Sequence, residues 1–382
     1  MSEGPASPAQ ALAPTPPMGW SSWNSFGRRI DERLIRDTAD ALVESGLAAA
    51  GYRYVNLDDG WQAPSRDAFG DLRPDEGRFP GGLKALGDHL HSKGLKFGIY
   101  TSVGRKTCEG FPASYGFEEQ DASLFAEWGV DYVKDDFCGG PPFWCRYNFW
   151  PWWDYRSRYT AMSRGLRSTG RPIVLSLCNW GFGRVWEWGG EIAQLWRTTF
   201  DIWPSWRRIM GILDAQRGLE RFCGPGRWND PDMLEVGVAP LTLEESRAHF
   251  SLWAILAAPL IAGNDLRSMS PETLAILANP EVLAVDQDPA GLQGTLVSDP
   301  RSPLQAWSRR LHGPGERAVV LLNRSKAARS VEVSWPQLGL RGPARVRDLW
   351  RREDLGAFDG RLSLEAPGHG ARMLRLSGAQ EC

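Results

Sequence analysis

The chain has 382 residues, with 44 Lys and Arg against 46 Asp and Glu and a formal net charge of −2. This balance provides no basic field for nucleic acid or anionic lipid, so neither a nucleic acid nor a membrane partner is expected. Residues 1–17 lack the pattern of a signal peptide, and no run of about 20 apolar residues predicts a membrane span. These features predict a cytoplasmic protein, or a secreted one if a leader has been removed.

Eight short apolar runs alternate with helical patterns along most of the chain. The runs are typical of buried strands and cover residues 17–24, 52–61, 95–104, 131–138, 172–179, 193–201, 226–234 and 258–265. Helical spacing fills the intervals, and Gly51 and Gly94 stand where helices end. The alternation predicts a (β/α)8 TIM barrel over residues 15–290, preceded by a disordered segment at residues 1–14.

The last part of the chain has a different pattern. Short alternating strands, punctuated by Gly, Pro, Asn and Asp, follow residue 291. Such spacing predicts an antiparallel β-sandwich domain over residues 291–382. No acid cluster stands out there, so we expect structural support from this domain, with carbohydrate binding as the alternative.

Carboxylates recur where the predicted barrel strands end. They are Asp58, Asp59, Asp136, Asp201, Asp230 and Asp232. A single such Asp is commonly a helix cap, but four clusters at strand ends are not explained by capping. Because the carboxyl ends of barrel strands meet at one rim, these acids should converge where barrel enzymes carry out chemistry.

The residue types at the predicted strand ends exclude several classes of catalytic and metal site. None of the five histidines lies at a predicted strand end, which removes Ser-His, Cys-His and histidine-rich metal sites. The six cysteines form no CxxC pair, so structural zinc is not expected either. Carboxylate chemistry without a metal or cofactor remains, in a chain with 19 tryptophans.

The tryptophans near the acids suggest sugar binding, because indole faces suit the C–H faces of a sugar ring. Those in question are Trp20, Trp23, Trp61, Trp180 and Trp228, each of which is either a sugar platform or part of the core. Cleaving a glycoside requires two carboxyl groups that flank the anomeric carbon. Asp136 and Asp201, after strands four and six, are the natural pair.

Several long motifs resemble glycoside hydrolase family 27, which comprises α-galactosidases and α-N-acetylgalactosaminidases. They are TPPMGWSSWNSF, GYRYVNLDDGWQ, the stretch from GLKFGIY to DYVKDDFC, WRTTFDI, GRWNDPDML and SLWAILAAPLIAGNDLR. The resemblance is close over residues 11–293 and implies a catalytic barrel followed by a β-sandwich. It also implies a small carbohydrate substrate and no cofactor.

The resemblance assigns roles to individual positions. Asp136 matches the family's nucleophile and Asp201 its acid/base. The other matching residues contact the sugar: Lys134 and Arg197 bind hydroxyls, Asp58 and Asp59 grip the 6- and 4-hydroxyls, Trp23, Tyr100, Asp232 and Met233 form walls, and Cys178 and Trp180 lie at the 2-position.

A cysteine pair is also implied by the resemblance. Cys108 and Cys138 match two cysteines that form a disulfide near the pocket in family members. In a cytoplasmic protein glutathione would oppose this bond.

Three departures from the family pattern bear on the site. Asp135 and Phe137 flank the expected nucleophile, and strand alternation should point Asp135 away from the pocket. The aromatic loop at residues 139–157 leaves open a leaving-group subsite, a homo-oligomer contact or a cover for the rim. Asn179 stands near the 2-position, where many plant-like members have Glu.

We therefore expect a retaining α-galactosidase that hydrolyses terminal α-linked galactose through a covalent glycosyl-enzyme intermediate. The alternatives within the family are α-N-acetylgalactosaminidase and β-L-arabinopyranosidase activity. The more distant alternatives are a Schiff-base aldolase that uses Lys134 and a non-catalytic sugar-binding protein.

Overall fold

The computed structural model describes residues 12–139 and 154–381 of the chain. Its first part is an eight-stranded parallel sheet with the strand order β7-β6-β5-β4-β3-β2-β1-β8. The strands are β1 (Met18–Ser21), β2 (Tyr54–Leu57), β3 (Lys96–Ser102), β4 (Tyr132–Asp136), β5 (Val174–Cys178), β6 (Leu195–Arg197), β7 (Trp228–Asp230) and β8 (Leu260–Ala262). A parallel bridge between Leu234 and Ala262 joins the segment after β7 to β8. All eight predicted strands are present, and the sheet curls into the predicted barrel.

Helices connect successive strands. They are α1 (Trp23–Phe26), α2 (Glu32–Glu44), α3 (Leu47–Ala50), α4 (Gly82–Ser92), α5 (Glu118–Glu127), α6 (Tyr155–Ser168), α7 (Trp206–Ala215), α8 (Leu243–Ile255), α9 (Pro271–Leu277) and α10 (Pro280–Asp286). Asp31 caps α2, since its carboxylate accepts a hydrogen bond from Leu34 N at 2.7 Å. Gly51, at φ 115°, ends α3 as its sequence position predicts. No helix among residues 12–139 and 154–381 is long and apolar enough to cross a membrane.

The short barrel strands are buried along most of their length, which explains why they appear as apolar runs. The main chain continues past each carboxyl end into a loop, and the acids lie either at the last strand residue or in these loops. Residues 1–11 of the segment predicted to be disordered lie outside the described residues. At the opposite end of the barrel, Ala13 O accepts a hydrogen bond from Trp228 Nε1 at 2.9 Å.

The second part is antiparallel, as predicted. Its elements are β9 (Thr295–Leu296), β10 (Leu304–Arg310), β11 (Arg317–Asn323), β12 (Arg329–Ser334), α11 (Trp335–Leu338), β13 (Leu340–Arg341), β14 (Ala344–Asp348), β15 (Glu353–Phe358), β16 (Arg361–Ala366), β17 (Gly370–Ser377) and β18 (Gln380–Glu381). A six-stranded sheet has the order β15-β14-β17-β11-β10-β9, and β12 pairs with β16. Sequence patterning missed β15, because this edge strand has no buried residue and therefore no apolar alternation.

One hydrophobic core extends from the barrel into the second part, which also has a smaller core of its own. Arg309 of β10 is 1% exposed, and its Nη1 donates to Ala254 O of α8 at 2.9 Å and to Asp286 O of α10 at 3.3 Å. Burial raises the pKa of the neighbouring Asp286 carboxyl to about 8, although the charge of Arg309 opposes this shift. Arg309 thus joins a sandwich strand to the ends of two barrel helices.

Replacing Arg309 should weaken this junction. Arg309→Leu leaves the two carbonyls without their charged donor, which should lower the free energy of unfolding by about 2–3 kcal/mol. The adjacent and exposed Arg310 provides the control, since Arg310→Leu removes the same charge without breaking a buried contact. Urea denaturation compares the two variants, and equal losses of stability would contradict this role.

Candidate active site

The acids meet at the rim formed by the carboxyl ends of the strands. Asp58 and Asp59 follow β2, Asp136 is the last residue of β4, and Asp230 is the last residue of β7. Parallel register places Asp136 beside Cys178 at the end of β5. The structure therefore brings the predicted carboxylates to one end of the barrel.

Asp136 is held rigidly below this rim. Its side chain is 5% exposed, Oδ2 accepts from Tyr100 Oη at 3.0 Å, and Oδ1 accepts from its neighbour Phe137 N at 2.7 Å. Burial raises the pKa of Asp136, while the charge of Lys134 and the hydrogen bond from Phe137 N oppose the rise. Both oxygens are thus oriented by neutral donors.

Lys134 lies two residues earlier on β4, on the same face of the strand. Its Nζ donates to Asp58 Oδ2 at 2.7 Å and lies 5.3 Å from the centre of the Tyr100 ring. Burial lowers the pKa of Lys134, but the charges of Asp58 and Asp136 outweigh this effect and raise it well above its usual value. The raised pKa favours the protonated amine, which argues against a Schiff-base nucleophile.

Asp59 is a buried acid with an unused oxygen. Its Oδ2 accepts from Glu109 N at 2.9 Å, whereas Oδ1 has no partner among the described residues. Burial raises the pKa of Asp59 to about 7, and the charges of Asp58 and Asp136 add to the effect. A protonated Asp59 can donate a hydrogen bond as well as accept one.

Arg197, the last residue of β6, connects the other side of the site. Its Nη2 forms ion pairs with Asp201 Oδ1 at 3.0 Å and with Asp232 Oδ2 at 2.7 Å. Asp232 also accepts from Ile202 N at 2.7 Å and from Met233 N at 2.8 Å. These contacts fix the loop after β6 against the loop after β7.

Asp201 differs from Asp136 in its exposure. Its side chain is 63% exposed at the mouth of the site, within reach of Arg197. Desolvation by the walls raises the pKa of Asp201, but the charges of Arg197, Lys134 and Arg208 outweigh this and lower it. Asp201 is therefore an accessible carboxyl group whose pKa is lowered by neighbouring cations.

A small enclosed cavity of about 30 Å³ lies under this rim. Six of the predicted site residues line it, namely Asp58, Lys134, Cys178, Arg197, Asp232 and Met233. A volume of this size holds about one water molecule, so little space is left beneath the rim. Trp23 lines a separate outer groove of about 590 Å³ that opens to the surface.

The tryptophans divide between core and rim. Trp20, Trp61 and Trp228 are fully buried, and each indole N–H donates to a main-chain carbonyl. They belong to the core and are not sugar platforms. Trp23 and Trp180 are partly exposed at the rim and remain available to a ligand.

The predicted disulfide is present between Cys108 and Cys138. Cys108 Sγ lies 3.7 Å from Asp136 Oδ2, so the bond borders the expected nucleophile. These two sulfurs and the Asp136 carboxylate lie within 4.8 Å of one another, but the sulfurs are bonded to each other. The disulfide therefore links the loop after β3 covalently to the loop after β4.

The residues expected at the 2-position form a packed wall. Arg197 Nη1 donates to Cys178 Sγ at 3.5 Å. The Trp180 ring stacks on Phe200, with centroids 5.6 Å apart, and its backbone has φ 57°. Asn179 is fully buried, and its Nδ2 donates to Phe182 O at 2.9 Å, so the amide holds its own turn.

Asp135 lies outside the pocket, as strand alternation predicted. It is 1% exposed, and burial together with the charges of Asp136, Glu118 and Asp121 raises its pKa well above the usual value. Glu118 and Asp121 belong to α5, which covers the outer face of the barrel. The aromatic loop predicted at residues 139–157 lies largely outside the described residues.

Sequence reasoning missed the residues that hold the acids in place. Ser22 Oγ accepts from Asp58 N at 3.0 Å, and Ser21 Oγ donates to Asp58 Oδ2 at 3.5 Å. Arg208 donates through Nε to Asp201 O at 2.8 Å. The two serines lie within the GWSSWN motif, whereas nothing in the sequence marks Arg208.

The comparisons with known proteins agree with this geometry. Residues 15–288 match the family model described as "Alpha galactosidase A", and residues 301–376 match "Alpha galactosidase C-terminal beta sandwich domain". The chain belongs to the α-galactosidase family, glycoside hydrolase family 27. This α-galactosidase is therefore a two-domain glycoside hydrolase, which confirms the predicted fold and activity.

Individual relatives support the activity. An α-galactosidase of Cyamopsis tetragonoloba is 44% identical over 369 residues, which cover 96% of this chain and 87% of that protein. α-Galactosidase I of Mortierella vinacea superposes with a TM-score of 0.89 at 35% identity and covers 98% of this chain and 99% of its own. The Saccharomyces cerevisiae α-galactosidase with raffinose has a TM-score of 0.85 at 32% identity, covering 96% and 98% of the two chains.

Proposed function

We propose that this α-galactosidase acts by double displacement, with Asp136 as the nucleophile and Asp201 as the acid/base. The observation that carries the proposal is the contrast between the two carboxyl groups. Asp136 is buried and oriented through both oxygens, whereas Asp201 is open to an arriving or departing molecule. A nucleophile needs fixed geometry, and an acid/base needs access to the leaving group and to water.

In the first step Asp136 Oδ attacks the anomeric carbon and the bond to the glycosidic oxygen breaks. Asp201 delivers its proton to that oxygen, and the leaving group departs as an alcohol. In the second step Asp201 takes a proton from water, whose oxygen attacks the same carbon and releases Asp136. Two inversions give galactose with net retention of the α configuration.

The surrounding charges suit these two roles. Lys134 opposes the rise that burial causes in the pKa of Asp136 and so favours the ionised nucleophile. Arg197 lowers the pKa of Asp201, which favours its action as a base in the second step. The first step requires protonated Asp201, so kcat/KM should fall as the pH rises through the pKa of Asp201.

The remaining residues would bind the galactose ring. Asp58, paired with Lys134, would bind the 6-hydroxyl, and Asp59 Oδ1, which has no partner among the described residues, would bind the 4-hydroxyl. Trp23 and Tyr100 would flank the ring, and Cys108, beside Asp136, would border it. Arg197, Asp232 and Met233 would close the opposite side of the pocket.

The stereochemistry of rescue tests the two roles. Asp201→Ala should slow hydrolysis of alkyl galactosides more than that of nitrophenyl α-galactoside, and added azide should yield α-galactosyl azide, because Asp136 still forms the intermediate. Asp136→Asn is the control and should lose more than about 1,000-fold in activity with no α-azide formed. NMR identifies the anomer, and a β-azide from Asp201→Ala would rule out double displacement.

A second prediction concerns the sugar. Trp180 is held between Phe137 and Phe200, so it cannot move aside for a 2-acetamido group, and Cys178 is pinned by Arg197. A pentose lacks the 6-hydroxyl and so forms no hydrogen bond from that position to the Asp58 carboxylate, which costs about 1.5–3 kcal/mol.

The kcat/KM for nitrophenyl α-galactoside should therefore be about tenfold or more above that for the β-L-arabinopyranoside. It should exceed the kcat/KM for the α-N-acetylgalactosaminide by a wider margin. The double variant Cys178→Ser with Trp180→Ala should narrow the gap to the N-acetylgalactosaminide but not the gap to the pentoside. Preference of the wild-type enzyme for either competitor would contradict the sugar assignment.

A third prediction uses Arg208, whose charge lowers the pKa of Asp201. Removing that charge in Arg208→Gln should raise this pKa, so that Asp201 stays protonated to higher pH. The alkaline limb of the kcat/KM profile should then move to higher pH in Arg208→Gln, whereas Arg208→Lys should keep it at the wild-type pH. A pH profile on methyl α-galactoside measures the shift, and a downward shift in Arg208→Gln would contradict the acid role.

A further inference from the structure

Helix α7 connects the loop that carries Asp201 to the second part of the chain. The helix begins at Trp206, and Arg208 in its first turn reaches back to the loop. Arg208 Nε donates to Asp201 O at 2.8 Å, and its Nη2 donates to Phe200 O. The guanidinium also lies 4.6 Å from the centre of the Trp203 ring. The position of α7 therefore decides where this stretch of main chain is held.

The second part of the chain binds α7 near the C-terminal end of the helix. Arg324, which directly follows β11, donates to Asp214 twice, from Nη1 to Oδ2 at 3.1 Å and from Nη2 to Oδ1 at 2.8 Å. Its Nη2 also donates to Met210 O at 3.4 Å. The side chains of Arg324 and Asp214 are 18% and 34% exposed, so solvent screens this bidentate ion pair less than a fully exposed one.

A second contact lies at the start of α7. The ring of His369, in the loop between β16 and β17, stacks on Trp206 with centroids 4.9 Å apart and an interplanar angle of 15°. His369 Nδ1 donates to the Glu245 carboxylate of α8 at 2.9 Å, and Glu245 also accepts from Thr242 N at 2.9 Å. The backbone of His369 has φ 48°, which costs free energy outside glycine. The imidazole is thus fixed between two barrel helices.

Buried hydrogen bonds join these two sandwich loops to each other. Asn323, the last residue of β11, is fully buried, and its Nδ2 donates to Pro367 O at 3.0 Å. Its Oδ1 accepts from Ser325 N at 2.9 Å, and Ser325 O accepts from His369 N at 2.8 Å. Because one buried amide fixes both loops, Arg324 and His369 contact α7 as parts of one rigid unit.

From these contacts we propose that Arg324 and His369 are positioning residues for the acid/base Asp201. They hold α7 in the place from which Arg208 binds the main chain of the loop. The proposal rests on the proposed role of Asp201. It gives the β-sandwich domain a part in the reaction beyond structural support, and this part is exerted through a helix without contact with the sugar.

The alkaline limb of the kcat/KM profile on methyl α-galactoside measures whether Arg208 is in place. Desolvation raises the pKa of Asp201, whereas neighbouring cations, among them Arg208, lower it. In Arg324→Gln and in His369→Ala the guanidinium should withdraw from Asp201. The limb should then move to higher pH by about 0.3–0.5 pH unit, as expected when one nearby cation withdraws. His369→Phe keeps a flat ring against Trp206 and should shift the limb less.

A double variant separates positioning through α7 from general damage. In Arg208→Gln the cation that α7 presents to the loop is already absent. Adding Arg324→Gln to this variant should therefore produce no further shift of the alkaline limb. A further shift would show that Arg324 affects the site without Arg208 and would overturn the proposal.

Arg347 supplies the matched control. It also joins the two parts of the chain by a bidentate ion pair, to Glu281 of α10, from Nε at 2.8 Å and from Nη2 at 2.7 Å. Helix α10 contains none of the site residues. Arg347→Gln should therefore leave the alkaline limb at the wild-type pH, although it removes a comparable contact between the two parts. A shift in Arg347→Gln equal to that in Arg324→Gln would contradict the proposal.

Hydrogen exchange tests the positioning without reference to the chemistry. Peptides that cover residues 199–205 should exchange faster in Arg324→Gln and in His369→Ala than in the wild type, because the loop is held less firmly. Arg347→Gln should leave their exchange unchanged. Mass spectrometry measures the rates, and unchanged exchange in both Arg324→Gln and His369→Ala would overturn the positioning role.

Failure of the proposed mechanism gives a different result. If Asp201 is not the acid/base, the alkaline limb stays at the wild-type pH even in Arg208→Gln, and Asp201→Ala does not distinguish alkyl from nitrophenyl galactosides. The exchange rates then still decide whether the sandwich domain holds this loop through α7.

Discussion

The balance of charge at the barrel rim is the constraint on which the site depends. Six carboxyl groups converge around two cations, the half-buried Lys134 and the buried Arg197; the acids are Asp58, Asp59, Asp136, Asp201, Asp230 and Asp232. Burying ionised carboxylates costs free energy unless they are paired or hydrogen-bonded. Two cations cannot neutralise six acids, so burial raises the pKa of Asp59 to about 7 and that of Asp230 to about 6. Main-chain N–H groups supply much of the remaining stabilisation.

This balance also separates two acids that look alike in the sequence. Asp136 and Asp201 both follow an apolar run, yet burial raises the pKa of one and Arg197 lowers that of the other. The difference arises from position, since Asp136 ends a central strand while Asp201 stands four residues beyond β6. Environment rather than residue type thus assigns different chemistry to two aspartates.

The sequence predicted the barrel well because its strands are buried along most of their length and because acids at strand ends have few structural explanations. It failed where burial depends on distant partners. Trp20 and Trp61 resemble rim residues in the sequence, but their N–H groups bind main-chain carbonyls inside the core. Trp203 lies in the loop after β6 and Arg208 in the first turn of α7, and no pattern in the sequence indicates that the two side chains contact each other. The φ of 93° at Asp232 is equally invisible.

Several energetically unfavourable features lie at the rim. Asp232 and Trp180 have positive φ values, which cost free energy outside glycine, and Asp59 Oδ1 lacks a partner among the described residues. The domain junction carries such features as well, since Arg309 Nε and Asp286 Oδ1 are buried without a partner among the described residues. Sugar hydroxyls donate hydrogen bonds of the kind that the crowded carboxylates lack. Galactose binding should therefore relieve electrostatic cost that the folded protein carries, so that ligand affinity and stability are linked at this rim.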